Sequence, residues 1–113
     1  MHRIAVLVVA SGFARAKADG PDHFRITGVA ANDVLHLRAA PNPKAAKVGG
    51  IPPSANCVRN LGCRGGLSIR ETTNLSPARQ KERLRQHPRW CRSEYRGITG
   101  WAADRYLAEG GCP

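Results

Sequence analysis

Acidic residues are the scarce class in this 113-residue chain: eight Asp and Glu stand against 18 Lys and Arg, a net charge of +10. So few carboxylates leave little material for paired acid–base chemistry. Of Glu71, Glu82, Glu94 and Asp104, all but Glu94 stand beside an arginine, which favours ordinary ion pairs. No serine–histidine–acid motif, no His-Glu-x-x-His and no glycine-rich phosphate loop after a strand is present, so no enzyme class is indicated. Cys-x-x-Cys knuckles and His pairs at ligand spacing are missing as well, which argues against zinc. No metal and no cofactor are expected. Apolar runs are short: the longest reading, residues 4–10, falls far below the roughly 20 residues a spanning helix needs. Aromatics are few, two each of Trp, Tyr and Phe, yet both tryptophans and both tyrosines lie within residues 90–107.

The first 18 residues, MHRIAVLVVASGFARAKA, carry a basic tip (His2, Arg3), an apolar run and two small-x-small sites, Ala14-Arg15-Ala16 and Ala16-Lys17-Ala18. That order is the pattern of a secretory signal peptide. The expectation is export, to a periplasmic or extracellular location, with residues 19–113 forming one mature domain and cleavage after Ala16 or Ala18. Loss of Arg3, Arg15 and Lys17 with no acid takes the charge from +10 to +7. Much of the excess lies between Arg79 and Arg96, and such a surface suits anionic partners: wall polymers, an anionic lipid or glycolipid surface, or an acidic protein. An exported chain rarely meets cytoplasmic nucleic acid, so none is expected. A monomer is the working expectation.

Cys57, Cys63, Cys91 and Cys112 are even in number and all fall in the mature part. In a small secreted domain they imply two disulfides, with three connectivities open. Oxidised thiols also remove a catalytic cysteine working with His36 or His87.

Turn signals recur along the chain and divide it into short strands. HFRITGVA (23–30) alternates, with a shift at Thr27-Gly28; VLHLR places Leu35 and Leu37 on one face; residues 48–51 form a short strand ended by Pro52-Pro53. CVRNLGC comes next, then WCRSEY and ITGWAA joined at Arg96-Gly97, where Gly97 supplies the positive φ of a tight turn. Short, regularly spaced strands predict a small all-β barrel or sandwich. One insertion, residues 64–89, is too long for a hairpin loop. Inside it Ser76 can cap a helix, Pro77 suits the first helical position, and ARQKERLRQH runs to Pro88, predicting a helix over about 76–87. Only Ala78 and Leu84 are apolar, so the helix lies on the surface. Its like-charged pairs Arg79/Arg83 and Lys81/Arg85 cost a few tenths of a kcal/mol each. Together with Arg89 they form either a docking surface for an anion or a solvated face.

The order of four segments, DVLHLRAAPNP, VGGIPP, NLGC and WCRSEYRGITGWAADRYL, resembles the bacterial Src-homology-3-like (SH3-like) domain of exported proteins. The marks of that family fall at Leu35, Leu37, Arg38 and Pro41, then at Trp90, Gly100, Trp101, Tyr106 and Leu107. The resemblance implies a five- to six-stranded, strongly bent antiparallel barrel with one helical turn near its end. It also implies a bridge between Cys63 and Cys91, leaving Cys57 for Cys112. Ser93 and Ala102 stand where the family usually has valine, which thins the core and raises the weight of the disulfides.

Alternation places Trp90, Arg92 and Glu94 on one face of their strand and Cys91, Ser93 and Tyr95 on the other. The cysteine and serine suit the interior, so Trp90 and Arg92 face outward. The resemblance implies recognition of cell-wall peptide or glycan, or of an exported protein, by a non-catalytic module. Candidate groove residues are Trp90, Tyr95, Trp101 and Tyr106, with Arg38 and Arg92 as anion contacts; Trp101 and Tyr106 fit the core equally well. The alternative is a small inhibitor or accessory protein that docks on an acidic exported enzyme through Arg79, Lys81, Arg83, Arg85 and Arg89.

Overall fold

The computed structural model describes residues 20–112, so the expected leader, with its expected cleavage after Ala16 or Ala18, lies outside the described residues. Seven strands form one antiparallel sheet: β1 (His23–Ile26), β2 (Leu35–Arg38), β3 (Lys47–Ile51), β4 (Val58–Arg64), β5 (Trp90–Tyr95), β6 (Ile98–Ala103) and β7 (Leu107–Glu109). Their order is β3-β2-β6-β5-β4-β1-β7. The strand count exceeds the five to six expected, and among the described residues no ladder joins β3 to β7, so the sheet is not closed by hydrogen bonds. The all-β class stands, with two short helices inserted between β4 and β5, α1 (Ile69–Asn74) and α2 (Pro77–Gln86).

Period-2 alternation decides the buried face. In β1 Phe24 and Ile26 point inward; in β2 Leu35 and Leu37 do. With Ile51, Val58, Cys91 and Ala102 they make the core. The expected strand over 23–30 ends at Ile26, because Gly28 turns the chain with a φ of 72°. Ser93 is fully buried, and its hydroxyl donates to the Cys91 carbonyl at 3.1 Å. A polar atom in the core thus keeps a partner and avoids the cost of an unpaired donor. The β5–β6 turn has positive φ at both Arg96 (51°) and Gly97 (84°), the requirement of a type I′ turn.

Gly100 shows why a small residue is needed where β2 meets β6. A Cβ there would lie 2.8 Å from the Leu37 Cβ and 2.9 Å from the Val48 Cγ2. Val48 is exposed and can turn away, but Leu37 is fully buried and the Arg38 carbonyl lies 3.1 Å from the same point, so the site has no room to give. Gly100→Val is therefore expected to lower stability by more than about 2 kcal/mol, read as a fall in the denaturation midpoint.

The disulfides are Cys63–Cys91 and Cys57–Cys112, and no described cysteine is free. Cys63 and Cys91 are direct partners in the β4–β5 ladder. A bulge between Asn60 and Cys63 brings them opposite each other, with Gly62 at a φ of 118°. The Asn60 Oδ1 accepts from the Gly62 N–H at 2.9 Å and fixes that bulge. Two disulfides in so small a domain are the mark of an oxidising compartment.

The insertion is held mainly by its own bonds and at its base. Ser76 caps α2 by accepting from the Arg79 N–H, and His87 ends the helix. The expected boundaries hold to within a residue. The sequence reading had no counterpart for α1, whose capping box joins Ser68 and Glu71 in both directions. Neither helix has a buried residue. What joins them is polar: Gln80 Nε2 donates to the carbonyls of Thr72 and Leu75 at 3.0 Å each, and Arg83 pairs with Glu71 at 2.6 Å. At the base, the Gly66 N–H donates to the His87 carbonyl at 3.1 Å, directly beside the Cys63–Cys91 bridge.

Glu71 ties this pair of helices to pH. The Ser68 backbone N–H, and then the Arg83 guanidinium, hold its carboxyl below its ordinary value. A carboxylate lowered in the fold stabilises above its unfolded pKa and loses that contribution as pH falls through the folded one. Helical circular dichroism is expected to decline below about pH 4, the ordinary carboxylate range, while the near-ultraviolet tryptophan signal of the sheet persists. Loss of both signals at one pH would show that the insertion and the sheet unfold together.

Candidate functional site

The β5–β6 hairpin sorts the aromatics. Cys91 and Ser93 are buried, while Arg92 is exposed and Trp90 half-buried on the opposite face. The ladder sets Trp101 directly opposite Arg92, and on its other side opposite Arg38 of β2. Side chains directly opposite each other share a face. Trp101 therefore belongs to the outer face, between two arginines, and a third, Arg64, holds its guanidinium 5.4 Å from the ring centroid. The core position opposite Cys91 belongs to Ala102 instead. Tyr95 packs against the core from the inner face, with Arg96 5.4 Å over its ring.

Tyr106 follows β6 in a single 3-10 turn, Asp104–Tyr106. One side of its ring meets the core and Arg105 lies 4.7 Å from the centroid. This residue also lines a groove of about 1030 Å³. One wall is the loop from Gly28 to Leu35 that leads into β2. The other is α2, which presents Lys81, Leu84 and Arg85. Trp90, Ala103 and Tyr106 lie between the walls, with Arg89 and Arg105 beside them. Of the expected site residues, the groove gathers Arg38, Lys81, Arg85, Arg89, Trp90 and Tyr106. Arg79, Arg83, Arg92, Tyr95 and Trp101 lie away from it.

Five cations, Arg38, Lys81, Arg85, Arg89 and Arg105, face two acids, Asp33 and Asp104, so the groove carries an excess of positive charge. Some of that charge is already engaged. Arg38 Nη1 donates to the Ala45 carbonyl at 3.1 Å, and Arg85 pairs with Glu82 on its own helix. The Arg89 Nε lies 3.9 Å from the Asp104 carboxylate. Lys81 makes no ion pair among the described residues. An exposed pair contributes little, about 0 to 1 kcal/mol, so Arg85 and Arg89 can exchange their internal acids for an anionic ligand.

Asp104 sits where the groove meets the core. Its backbone N–H donates to the Arg89 carbonyl at 3.0 Å, and its Oδ1 is 3.5 Å from the Cys91 sulfur. That sulfur is bonded to Cys63 and has no proton to give, so the contact is one of packing. Burial raises the Asp104 pKa, with Arg89 opposing. A carboxyl raised in the fold stabilises below its unfolded pKa, and that contribution is lost as pH rises through the folded value. Its ionised form works against the fold and repels an anion in the groove.

Sequence reasoning did not assign Val29, Val34, Leu84, Asp104 or Arg105 to a site. Leu84 carried a signal, as one of very few apolar positions on a polar helix. The loop residues carried none, because their place opposite α2 depends on how the insertion folds back.

No family model matches the chain, and the searches found neither a similar characterised protein nor a similar solved structure.

Proposed function

We propose that this chain is a secreted, non-catalytic SH3-like module that holds an anionic, extended ligand in the groove between its sheet and its helical insertion. Cell-wall material is the ligand class the reading favours, since peptidoglycan combines glycan and peptide with free carboxylates. One observation carries the proposal. Trp90 and Tyr106 share a single groove with Lys81 and Arg85 of the insertion. The aromatic face and the basic helix, which as sequence features suggest two different modes of binding, become two walls of one site. Aromatic rings supply burial and rigid contact area, and arginine and lysine supply orientation toward carboxylates. The short antiparallel strands and the single 3-10 turn before β7 support the SH3-like reading, with the helical pair as an added wall.

The alternative ligand is an acidic segment of an exported protein. It is favoured by the same cations, and it predicts a stronger dependence on salt. Retention on purified peptidoglycan sacculi, at about 20 mM and about 500 mM salt, tests the proposal, because exposed charge pairs are screened over about 4 Å at the higher value. Retention that survives high salt and is lost in Trp90→Ala supports the wall reading. No retention at either salt would overturn it.

A further inference from the structure

We infer that the tail bridge Cys57–Cys112, once reduced, becomes with His23 a three-ligand site for Cu(I). The donor atoms of His23, Cys57 and Cys112 all lie within 4.8 Å of one another. In the oxidised chain the two sulfurs are bonded together and carry no charge, so they are poor ligands. Reduction gives two thiols, and two thiolates with one imidazole form a soft set of three donors, which suits Cu(I) and is one ligand short of the four a structural zinc site takes. The full chain contains no Cys-x-x-Cys pattern. The site is assembled from three segments distant in sequence, β1, the residue before β4 and the tail after β7, which explains why spacing alone gave no sign of it.

Two features keep the three ligands together after the bridge opens. The tail is tied to β1 independently of sulfur: Phe24 pairs with Glu109 in the ladder, and the Gly110 N–H donates to the His23 carbonyl at 3.0 Å. Cys112 is only two residues farther on. On the other side, Cys57 is held in the left-handed region at a φ of 59°, with its N–H donating to Asn56 Oδ1 at 2.9 Å. Charge fits the monovalent ion. Two thiolates and Cu(I) leave one net negative charge, and Arg59 stands directly opposite His23 in the β1–β4 ladder.

Access favours this bridge over the other. Cys112 is exposed and Cys57 half-buried, whereas Cys91 is fully buried. A dithiol reductant supplies the two electrons. Its first thiolate attacks one sulfur of the bridge, forms a mixed disulfide and releases the other sulfur as a thiolate; its second thiol closes its own disulfide and frees the remaining cysteine. Cu(I) then displaces the protons of the two thiols.

The test titrates Cu(I) anaerobically against the chromophoric chelator bicinchoninate, using the full chain before and after mild dithiothreitol treatment and removal of the reductant. Alkylation and mass mapping identify the opened bridge. The expected result is one Cu(I) per reduced chain and none for the oxidised chain. His23→Gln should weaken binding by about tenfold or more, since even an outer-shell partner is worth that much. Cys57→Ser/Cys112→Ser should not bind under the same treatment. The inference is overturned if that double variant still binds, if His23→Gln binds as tightly as the natural chain, or if the reduced chain takes no Cu(I). Loss of the near-ultraviolet tryptophan signal on opening the bridge also overturns it, because the ligand set depends on the folded β1–β7 ladder.

Discussion

Replacing the Cys63–Cys91 bridge by Cys63→Ala/Cys91→Ala is expected to destabilise the domain by about 3.5 kcal/mol or more. The bridge spans 28 residues, and the loop-entropy model assigns about that much to a closure of this length. The second contribution is packing. Cys91 is fully buried among Leu37, Val58 and Ala102, so truncating it leaves a gap that those neighbours cannot fill. The core has little to spare, with Ser93 and Ala102 occupying buried positions where larger side chains would contribute more. A further consequence follows from the position of the bridge at the base of the insertion. Without it, the base of the insertion is held by the Arg64–Trp90 ladder pair, the Gly66–His87 hydrogen bond and the Arg89–Asp104 contacts, so the groove wall loosens before the sheet unfolds. Denaturant titration followed by tryptophan fluorescence measures the first effect. A loss below about 1 kcal/mol would show that neither loop entropy nor core packing is centred on this bridge.

Trp90→Ala is expected to weaken ligand binding by about 30-fold, the ~2 kcal/mol typical of a central aromatic anchor. Its stability effect should be small by comparison, because Trp90 is half-buried on the outer face and stands outside the core cluster. Trp101→Ala is the internal control. That ring lies on the same sheet face but away from the groove, engaged by Arg64. Equal losses from the two substitutions would shift the site to the row Arg38, Trp101 and Arg92 on the open sheet. Affinity for solubilised wall fragments, measured by calorimetry, distinguishes the two cases.

Much of the fold was legible because its signals are local. Alternation in LHLR and WCRSEY placed Leu35, Leu37, Cys91 and Ser93 inside, and Ser76-Pro77 with Pro88 bounded α2. Where the reading fell short, long-range geometry was responsible. β7 is three residues long and forms because β1 offers a free edge beside Phe24, Arg25 and Ile26. In α1 the capping box of Ser68 and Glu71 was present in the sequence, but a six-residue helix with two threonines has too little apolar periodicity to be noticed. Trp101 was open between core and surface until the ladder placed it opposite Arg38 and Arg92. The groove is the clearest case: its residues come from three separated stretches, 28–43, 81–90 and 103–106, which only the three-dimensional fold brings around one concavity.

The proposed convergence of sheet and insertion on one ligand is best tested by nuclear magnetic resonance of the two indole N–H groups and the backbone amides during titration with a soluble, carboxylate-bearing muropeptide. The predicted result is that the Trp90 indole and the amides of Lys81, Leu84 and Arg85 shift together along one binding curve, while the Trp101 indole moves little. Shifts confined to the sheet, shifts confined to the helix, or two curves of different affinity would contradict a single shared groove.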